Sequence, residues 1–299
     1  MSKLKAIFIS KPFKHYLNSP LVIAATIVLF IIAAGAIFAP LIAPQNPYDI
    51  SSLMLRDSLR PPVWHEGGNL PFLLGTDMQG RDVFSTILYG SRTSLFVGIS
   101  VVIIAGGFGA FIGLLAGYYG GLLDTIIMRL GDTVFSFSQT LIAMLLLGVF
   151  RQSSVLLVIA AICISGWVQY ARTIRGQVLS VKEEEYILSS RAIGCNDLRI
   201  IIKHVLPNSI SPLLVIAAVH FGMAIMLEAT LSFLGVGVPV TQPSLGMMIS
   251  QGRDFLYAGN WWLVIFPGGV LMAIVFSLNL IADWLRDEFD PRIKNLQNS

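Results

Sequence analysis

Two ionisable side chains lie within an otherwise apolar stretch, and their positions suit the binding of a proton or a cation. His220 and Glu228 are separated by eight residues within segment 210–236. At about 100° per residue on an α-helix they lie about 80° apart, so both can flank one water-filled face. Charge is costly to bury in lipid, which makes both residues candidates for a translocation path. The structural alternative is that Glu228 pairs or caps within its own subunit.

Motifs of established catalytic chemistry are missing from the sequence. It contains no HExxH zinc motif, no GxSxG nucleophile elbow and no GxxxxGK[ST] phosphate loop. The histidines fall in separate regions and the cysteines lack the spacing of metal ligands: His15, His65, His204, His220, Cys163 and Cys195. We predict no metal site and no ATPase site in this chain, and the dispersed net charge of +3 does not indicate a nucleic-acid partner.

A polar segment, residues 185–208, lies between long apolar stretches and is called the insert below. Acidic residues at 183–185 favour the start of a helix, and Gly194 suits its end. Asn196 suits the N-cap of a second helix with Asp197 in its first turn. Pro207 is expected to end that second helix. The insert is therefore predicted to be helix, sharp corner, amphipathic helix.

The second helix of the insert has a predicted apolar face. Four residues follow the spacing i, i+3, i+4 and i+7: Leu198, Ile201, Ile202 and Val205. Arg199 and Lys203 lie one turn apart on another face, near the helix end where positive charge is favourable. This pattern predicts a surface that docks a partner.

The composition indicates a membrane protein. The chain has 299 residues, of which 55% are hydrophobic and 12% charged, against about 25% charged in a soluble domain. A spanning helix needs roughly 20 apolar residues. Six stretches meet or approach that length, the third and fourth with their flanks: 21–43, 95–118, 133–149, 155–170, 210–236 and 261–284. We predict an all-α integral membrane protein with six transmembrane helices.

The distribution of basic residues predicts the orientation. With the N-terminus inside, most of the 20 lysines and arginines are cytoplasmic, together with both termini and the insert. The basic segment 1–20 is expected on the inner leaflet of the bilayer. Segments 44–75 and 237–260 are predicted outer loops, and Val83, Phe84, Ile87 and Leu88 form a helical face suited to the membrane surface.

Small residues recur at every fourth position of the second span: Ala105, Gly109, Gly113, Gly117 and Gly121. In lipid, such a row allows another helix to approach closely. We interpret it as tight packing within the chain rather than as a homodimer interface.

Three motifs, spread over nearly the whole chain, resemble a known family. They are LGTDMQGRDVFSTILYGSRTSLFVG at 74–98, the insert with Gly194 and its terminal Leu206–Pro207, and EATLSFLGVGVP at 228–239. Together they resemble the permease subunit of binding-protein-dependent ABC importers, and specifically the second, C-type subunit of the dipeptide, oligopeptide and nickel group. The sequence departs from the family pattern at three positions: Leu188 for a glutamate, Ser138 for a proline and Leu245 for a tryptophan.

The resemblance implies a type I ABC importer transmembrane domain in which the insert is a cytoplasmic coupling helix. It divides the chain into a first helix with its external loop at 1–91, a transmembrane core at 92–287 and a cytoplasmic tail at 288–299. The residues implied in coupling are Ser189, Ser190, Ala192, Gly194, Asp197, Leu198, Arg199, Ile201, Ile202, Leu206 and Pro207.

The implied partners are a second permease subunit, two ATP-binding subunits that bind ATP and Mg²⁺, and a substrate-binding protein that delivers the cargo. The implied location is the bacterial inner membrane, and the implied cargo is a short peptide. Nickel chelates and glutathione remain alternative cargoes of the same machinery. An ion-coupled secondary transporter using His220 and Glu228 is the alternative class, and a membrane enzyme would need a reactive constellation that the sequence lacks.

Overall fold

The computed structural model describes residues 16–49, 53–150 and 153–289. Regular structure in these ranges is helical, apart from one isolated β-bridge between Thr76 and Asp82. Most of the predicted N-terminal lead-in and most of the predicted C-terminal tail lie outside the described residues.

Eleven α-helices are described, and the insert adds a short π-helical segment, Ile201–Val205. The helices are α1 Pro20–Ile37, α2 Ala39–Ile42, α3 Val83–Tyr119, α4 Gly121–Phe135, α5 Gln139–Phe150, α6 Val155–Val181, α7 Glu185–Ala192, α8 Asp197–Ile200, α9 Leu206–Phe233, α10 Leu245–Arg253 and α11 Trp262–Phe289.

Five helical stretches are long and apolar enough to cross a bilayer: Pro20–Ile37, Val83–Tyr119, Val155–Val181, Asp197–Phe233 and Trp262–Phe289. A sixth span arises if α4 and α5, bent by 85° at their junction, count as one. At the bend the Ser136 hydroxyl bonds the Asp132 carbonyl at 2.8 Å, a local bond that competes with the helical ladder. The all-α membrane fold is confirmed, with its third span broken.

The helix predicted near residue 83 is present, but its apolar face does not lie on the membrane surface. Asp82 caps α3 by accepting a 2.8 Å hydrogen bond from the Ser85 amide, and the helix continues unbroken for 37 residues. Val83 and Ile87 are buried in a cluster that also holds Trp262 of α11. This face packs inside the protein because α10 and α11 cover it. The predicted domain boundary after residue 91 falls within α3.

The row of small residues packs α3 against α6, as predicted. A Cβ placed on Gly109 would collide with the Trp167 carbonyl oxygen, and one on Gly113 with the Ala171 carbonyl oxygen. A Cβ on Gly117 would lie 2.8 Å from that of Val178. These glycines allow backbone contact along about two turns of the helix. Gly121, the last member, has no such neighbour and lies outside the contact.

The segment between α2 and α3 is mostly irregular but tied to the helices. Arg60 forms a 2.7 Å ion pair with Asp57, and the Thr76 hydroxyl donates to the Asp57 carbonyl. The indole of Trp262 donates to the Thr76 carbonyl at 3.4 Å, which joins this segment to α11. Asp82, the last residue before α3, is buried where the segment meets the helix, and this burial raises the pKa of its carboxyl above the ordinary value. The loop is therefore fixed on the ends of α3 and α11.

Candidate functional site

The insert has the predicted helix, corner, helix order. Helix α7 ends at Ala192, and the chain reverses at Gly194, whose φ of +85° favours glycine. The Asn196 side chain then accepts a 3.3 Å hydrogen bond from the Leu198 amide and caps α8. The corner and the second cap are both confirmed by the structure.

The predicted stop at Pro207 is wrong. The chain passes from α8 through the π-helical segment Ile201–Val205 directly into α9, and Pro207 lies in the first turn of α9. A proline lacks the N–H of the helical ladder and its ring crowds the carbonyl one turn earlier, and here the regular α-helical pattern is already replaced by the π-helical segment just before it. The insert therefore runs into a membrane-spanning helix without a break, from Asp197 to Phe233.

One side of the insert is buried against the ends of the spans. Four of its residues, Ile187, Ile200, Ile201 and Val205, lie in a cluster with Leu114 and Tyr118 of α3 and Ile174 and Val178 of α6. Ile200 and Val205 have no exposed surface. Burial of this area from water contributes roughly 25 cal/mol per Å². The insert is thus anchored to α3 and α6.

Polar contacts reinforce this anchor. The Tyr118 hydroxyl donates a 2.5 Å hydrogen bond to the Asp197 carboxylate. Lys182 donates to the Gly117 carbonyl at 3.2 Å. The Asn208 amide donates to the Tyr186 hydroxyl at 3.1 Å, which ties the start of α9 to α7. Asp197, predicted to face a partner, therefore also holds the insert to α3.

The opposite side of the insert is exposed and largely apolar. Ile193 is 83% exposed, Leu198 65% and Ile202 54%. Together with Arg199 and Lys203 they line a shallow recess of ≈ 680 Å³. A surface of exposed large apolar residues rimmed by positive charge is typical of a protein interaction site. This face is called the docking face below.

The predicted apolar face is split by the structure. Leu198 and Ile202 lie on the docking face, but Ile201 is only 8% exposed and Val205 is fully buried. The reason is the π-helical segment, which turns more slowly per residue than the α-helix assumed from the sequence. Ile201 thus packs inside the chain and does not contribute to the docking face.

Of the other predicted coupling residues, Gly194 and Arg199 line the docking face. Ser189, Ala192, Gly194, Arg199, Leu206 and Pro207 are exposed, and Ser190 is half-buried. The Ser190 hydroxyl donates to the Tyr186 carbonyl at 2.7 Å within α7. Their role in coupling remains a prediction.

His220 and Glu228 do not share a water-filled face. The carboxylate of Glu228 is fully buried and accepts 2.8 Å hydrogen bonds from Ser94 of α3 and Ser232 of α9. These bonds correspond to the structural alternative for Glu228. The His220 imidazole bonds the Gln169 side chain and contacts the Tyr170 ring at 4.7 Å between centroids.

A cavity of ≈ 490 Å³ lies beside His220, between α6, α9 and α11. Its α6 wall is polar, its α9 wall is mostly apolar, and its α11 wall carries two opposite charges, Asp283 and Arg286. Helix α6 ends and α9 begins at the insert. The cavity therefore lies in the half of the chain nearest the docking face.

Two ion pairs tie α4 to α6 at the same end of the molecule. Arg175 bonds both oxygens of Asp124, at 2.5 and 2.7 Å, and Arg172 bonds Asp132 at 2.6 Å. The bidentate Arg175–Asp124 pair fixes geometry as well as charge. The two aspartates therefore position α4 against α6. In the described ranges, no group of three His, Cys, Asp or Glu residues could hold a metal ion.

Sequence reasoning missed three features of the site. Tyr118 was read only as the end of an apolar span, and its partner Asp197 is 79 residues away. Ile193 lies next to the predicted corner, and no local pattern in the sequence indicates that it is 83% exposed. The polar row on α6, at Gln169, Thr173 and Gln177, has the spacing i, i+4, i+8 and could have been found.

Comparison with known proteins gives two family matches. Residues 109–295 match the binding-protein-dependent transport system inner membrane component, and residues 13–62 match the N-terminal transmembrane domain of oligopeptide transport permease C. The first match covers more than half of the chain.

Whole-chain similarities agree with these matches. The chain is 40% identical to the dipeptide transport system permease protein of Haemophilus influenzae, over 90% of this chain and 89% of that protein. It is 38% identical to the di/tripeptide transport system permease protein of Pseudomonas aeruginosa, over 89% and 86%. The crystal structure of an amino acid ABC transporter with histidines aligns with a TM-score of 0.53 at 13% identity, over 68% of this chain and 94% of that one. This last likeness concerns the fold alone.

Proposed function

The chain belongs to the family of binding-protein-dependent transport system inner membrane components, and from this membership we propose that it is a permease subunit of an ATP-driven importer of short peptides. It forms the membrane path, and a substrate-binding protein delivers the peptide. The peptide substrate is supported by the two relatives named for dipeptide and di/tripeptide transport.

The observation that carries the coupling role is the anchored docking face. Three large apolar side chains are exposed on one side of the insert, and the other side is packed on α3 and α6. A partner that fills the recess would remove these apolar side chains from water. Arg199 and Lys203 lie in the same recess and would orient an acidic rim of that partner.

The energy for transport comes from two partner subunits that bind ATP and Mg²⁺. Their closure pushes on the docking face, and the anchored insert passes the displacement to α3 and α6. A second permease subunit completes the path. The chain lies in the bacterial inner membrane with both termini and the insert in the cytoplasm, which is supported by the excess of lysine and arginine on that side.

Affinity purification of the tagged chain from its own membranes tests the assembly. We expect a second permease subunit and ATP-binding subunits to co-purify in stoichiometric amounts, and ATP hydrolysis to rise when peptide-loaded binding protein is added. A chain that purifies alone and takes up peptide under an ion gradient would contradict the proposal. Stimulation of ATP hydrolysis by a binding protein loaded with glutathione or a nickel chelate, and not with a dipeptide, would support the importer but show that its substrate is not a peptide of this kind.

A further inference from the structure

The cavity between α6, α9 and α11 has a row of uncharged polar side chains on one wall. Gln169, Thr173 and Gln177 follow one another at successive turns of α6, over about 12 Å of helix axis. Gln169, the residue of this row farthest from the insert, bonds His220. The side chains of Thr173 and Gln177 make no hydrogen bond within the described ranges. Polar groups in a membrane-spanning helix are costly without partners, so this wall is suited to a polar ligand.

The chemistry of this wall matches a peptide backbone. A glutamine side chain has two N–H donors and a carbonyl acceptor, and a threonine hydroxyl donates and accepts. A peptide bond offers one donor and one acceptor, so Thr173 and Gln177 can satisfy both without regard to the ligand's side chains. An extended dipeptide spans about 7 Å, which fits within the row.

The opposite wall of the cavity, on α9, does not select among the side chains of a ligand. Val215, Ile216 and Val219 of α9 face the cavity with hydrocarbon only. Such a surface accepts apolar side chains of different shape with small differences in affinity, because it holds no buried polar group that the wrong ligand would leave unpaired. The cavity is therefore built to hold a backbone and to tolerate varied side chains.

Two charges of opposite sign lie on the α11 wall. Asp283 and Arg286 are one turn apart, both line the cavity, and both are exposed. Neither forms an ion pair with another residue in the described part of the chain. A ligand with charge of one sign would satisfy one of them and be repelled by the other. A short peptide with free termini carries an ammonium and a carboxylate and can satisfy both.

We infer that this cavity is a binding site for the backbone and free termini of a short peptide on its way through the membrane. Arg286 pairs with the terminal carboxylate, Asp283 pairs with the terminal ammonium, and Thr173 and Gln177 bond the peptide group. The hydrogen-bonded pair His220–Gln169 lies at the end of the cavity farthest from the insert. The inference rests on the proposed function, since it gives the imported peptide a site in this chain.

Photo-crosslinking of the purified complex tests this site. The probe is alanyl-photoleucine, a dipeptide with a diazirine side chain, added to the complex in lipid nanodiscs without binding protein or nucleotide. Mass spectrometry of the labelled chain should place the crosslinks within 169–177 and 212–220. Unlabelled alanylalanine should compete about ten-fold better than its N-acetyl amide, which lacks both charged termini.

Three variants separate the site from its surroundings. Arg286→Gln and Asp283→Asn should each weaken labelling about ten-fold, because each removes one charge-assisted bond. Asp287→Asn is the matched control, since it neutralises a neighbouring charge on α11 that does not line the cavity. Labelling elsewhere in the chain, equal competition by the capped peptide, or equal labelling of Arg286→Gln and Asp287→Asn would each overturn the inference.

ATP hydrolysis is measured on the same preparation, so that failure of the peptide site can be distinguished from failure of the proposed function. Stimulation by peptide-loaded binding protein, without labelling of the cavity, would overturn the peptide site and leave the importer intact. A preparation in which loaded binding protein never stimulates ATP hydrolysis would contradict the proposed function itself. Labelling together with stimulation supports both.

Discussion

The hydroxyl of Tyr118, near the end of α3, donates a 2.5 Å hydrogen bond to the carboxylate of Asp197, in the first turn of the second insert helix. The bond joins residues 79 positions apart. It lies at the edge of the apolar cluster that anchors the insert on α3 and α6. The insert and the end of α3 are therefore held as one unit.

Tyr118→Phe should reduce peptide uptake more than ATP hydrolysis. Loss of the bond costs about 1 kcal/mol, roughly a five-fold change in the population of the docked geometry. The ratio of peptide imported to ATP hydrolysed in proteoliposomes measures the effect. Tyr119→Phe is the control, because the neighbouring hydroxyl makes no hydrogen bond within the described ranges. Equal ratios for the two variants would show that the bond has no part in coupling.

Leu198→Ser should weaken the binding of the ATP-binding subunits, whereas Ile201→Ser should destabilise the chain itself. Leu198 is 65% exposed on the docking face, so its change should leave the chain folded and release the ATP-binding subunits during purification. Ile201 is buried against α3 and α6, and truncation of a buried isoleucine costs about 2–5 kcal/mol. Thermal melting followed by size-exclusion chromatography separates the two. Co-purification of the ATP-binding subunits with Leu198→Ser at wild-type yield would remove that residue from the docking face.

The insert shows how far sequence alone could reach. Gly194 and Asn196 were identified because a helix end and an N-cap are local features with strong residue preferences. The burial of Ile201 could not be predicted, because the sequence pattern assumes 3.6 residues per turn and the π-helical segment has more. The Tyr118–Asp197 bond depends on packing between distant segments, which a local pattern does not contain.

Gly113→Ala should destabilise the packing of α3 on α6. The added methyl would collide with the Ala171 carbonyl, and overpacking of this kind costs about 1–3 kcal/mol. The melting temperature of the detergent-solubilised complex should fall. Gly107→Ala, on the same helix with no atom within 4 Å of the added carbon, should leave it unchanged or raise it. A similar fall in both variants would mean that helix flexibility, rather than the close contact, decides stability.

Glu228→Gln should preserve ATP-driven peptide uptake. The buried carboxylate bonds Ser94 and Ser232, and the glutamine carbonyl can accept one of these bonds at nearly the same size. Glu228→Ala should lower the free energy of unfolding by about 1–3 kcal/mol, because the buried hydroxyls of Ser94 and Ser232 lose their carboxylate acceptor. Uptake assays and melting curves measure the two effects. Abolished uptake in a stable Glu228→Gln complex would favour the ion-coupled alternative.

The sequence predicts which residues form the spanning helices, but it does not predict which helices contact each other inside the membrane. The Gly109–Gly113–Gly117 row indicated a close helix contact from spacing alone, but the sequence could not name α6 as the partner. The bend between α4 and α5 is centred on residues 136–138, and apolarity alone predicts a straight span. The helical angle predicts that His220 and Glu228 flank one face, yet Glu228 bonds Ser94 of α3 and His220 bonds Gln169 of α6.

The central claim is that hydrolysis of ATP by partner subunits drives peptide import through this chain. Uptake of a radiolabelled dipeptide into proteoliposomes holding the whole complex and its binding protein measures it directly. We predict uptake when ATP is supplied on the side of the ATP-binding subunits without any ion gradient, and none when ATP is replaced by a non-hydrolysable analogue. Uptake driven by an imposed proton or sodium gradient in the absence of ATP would contradict the account.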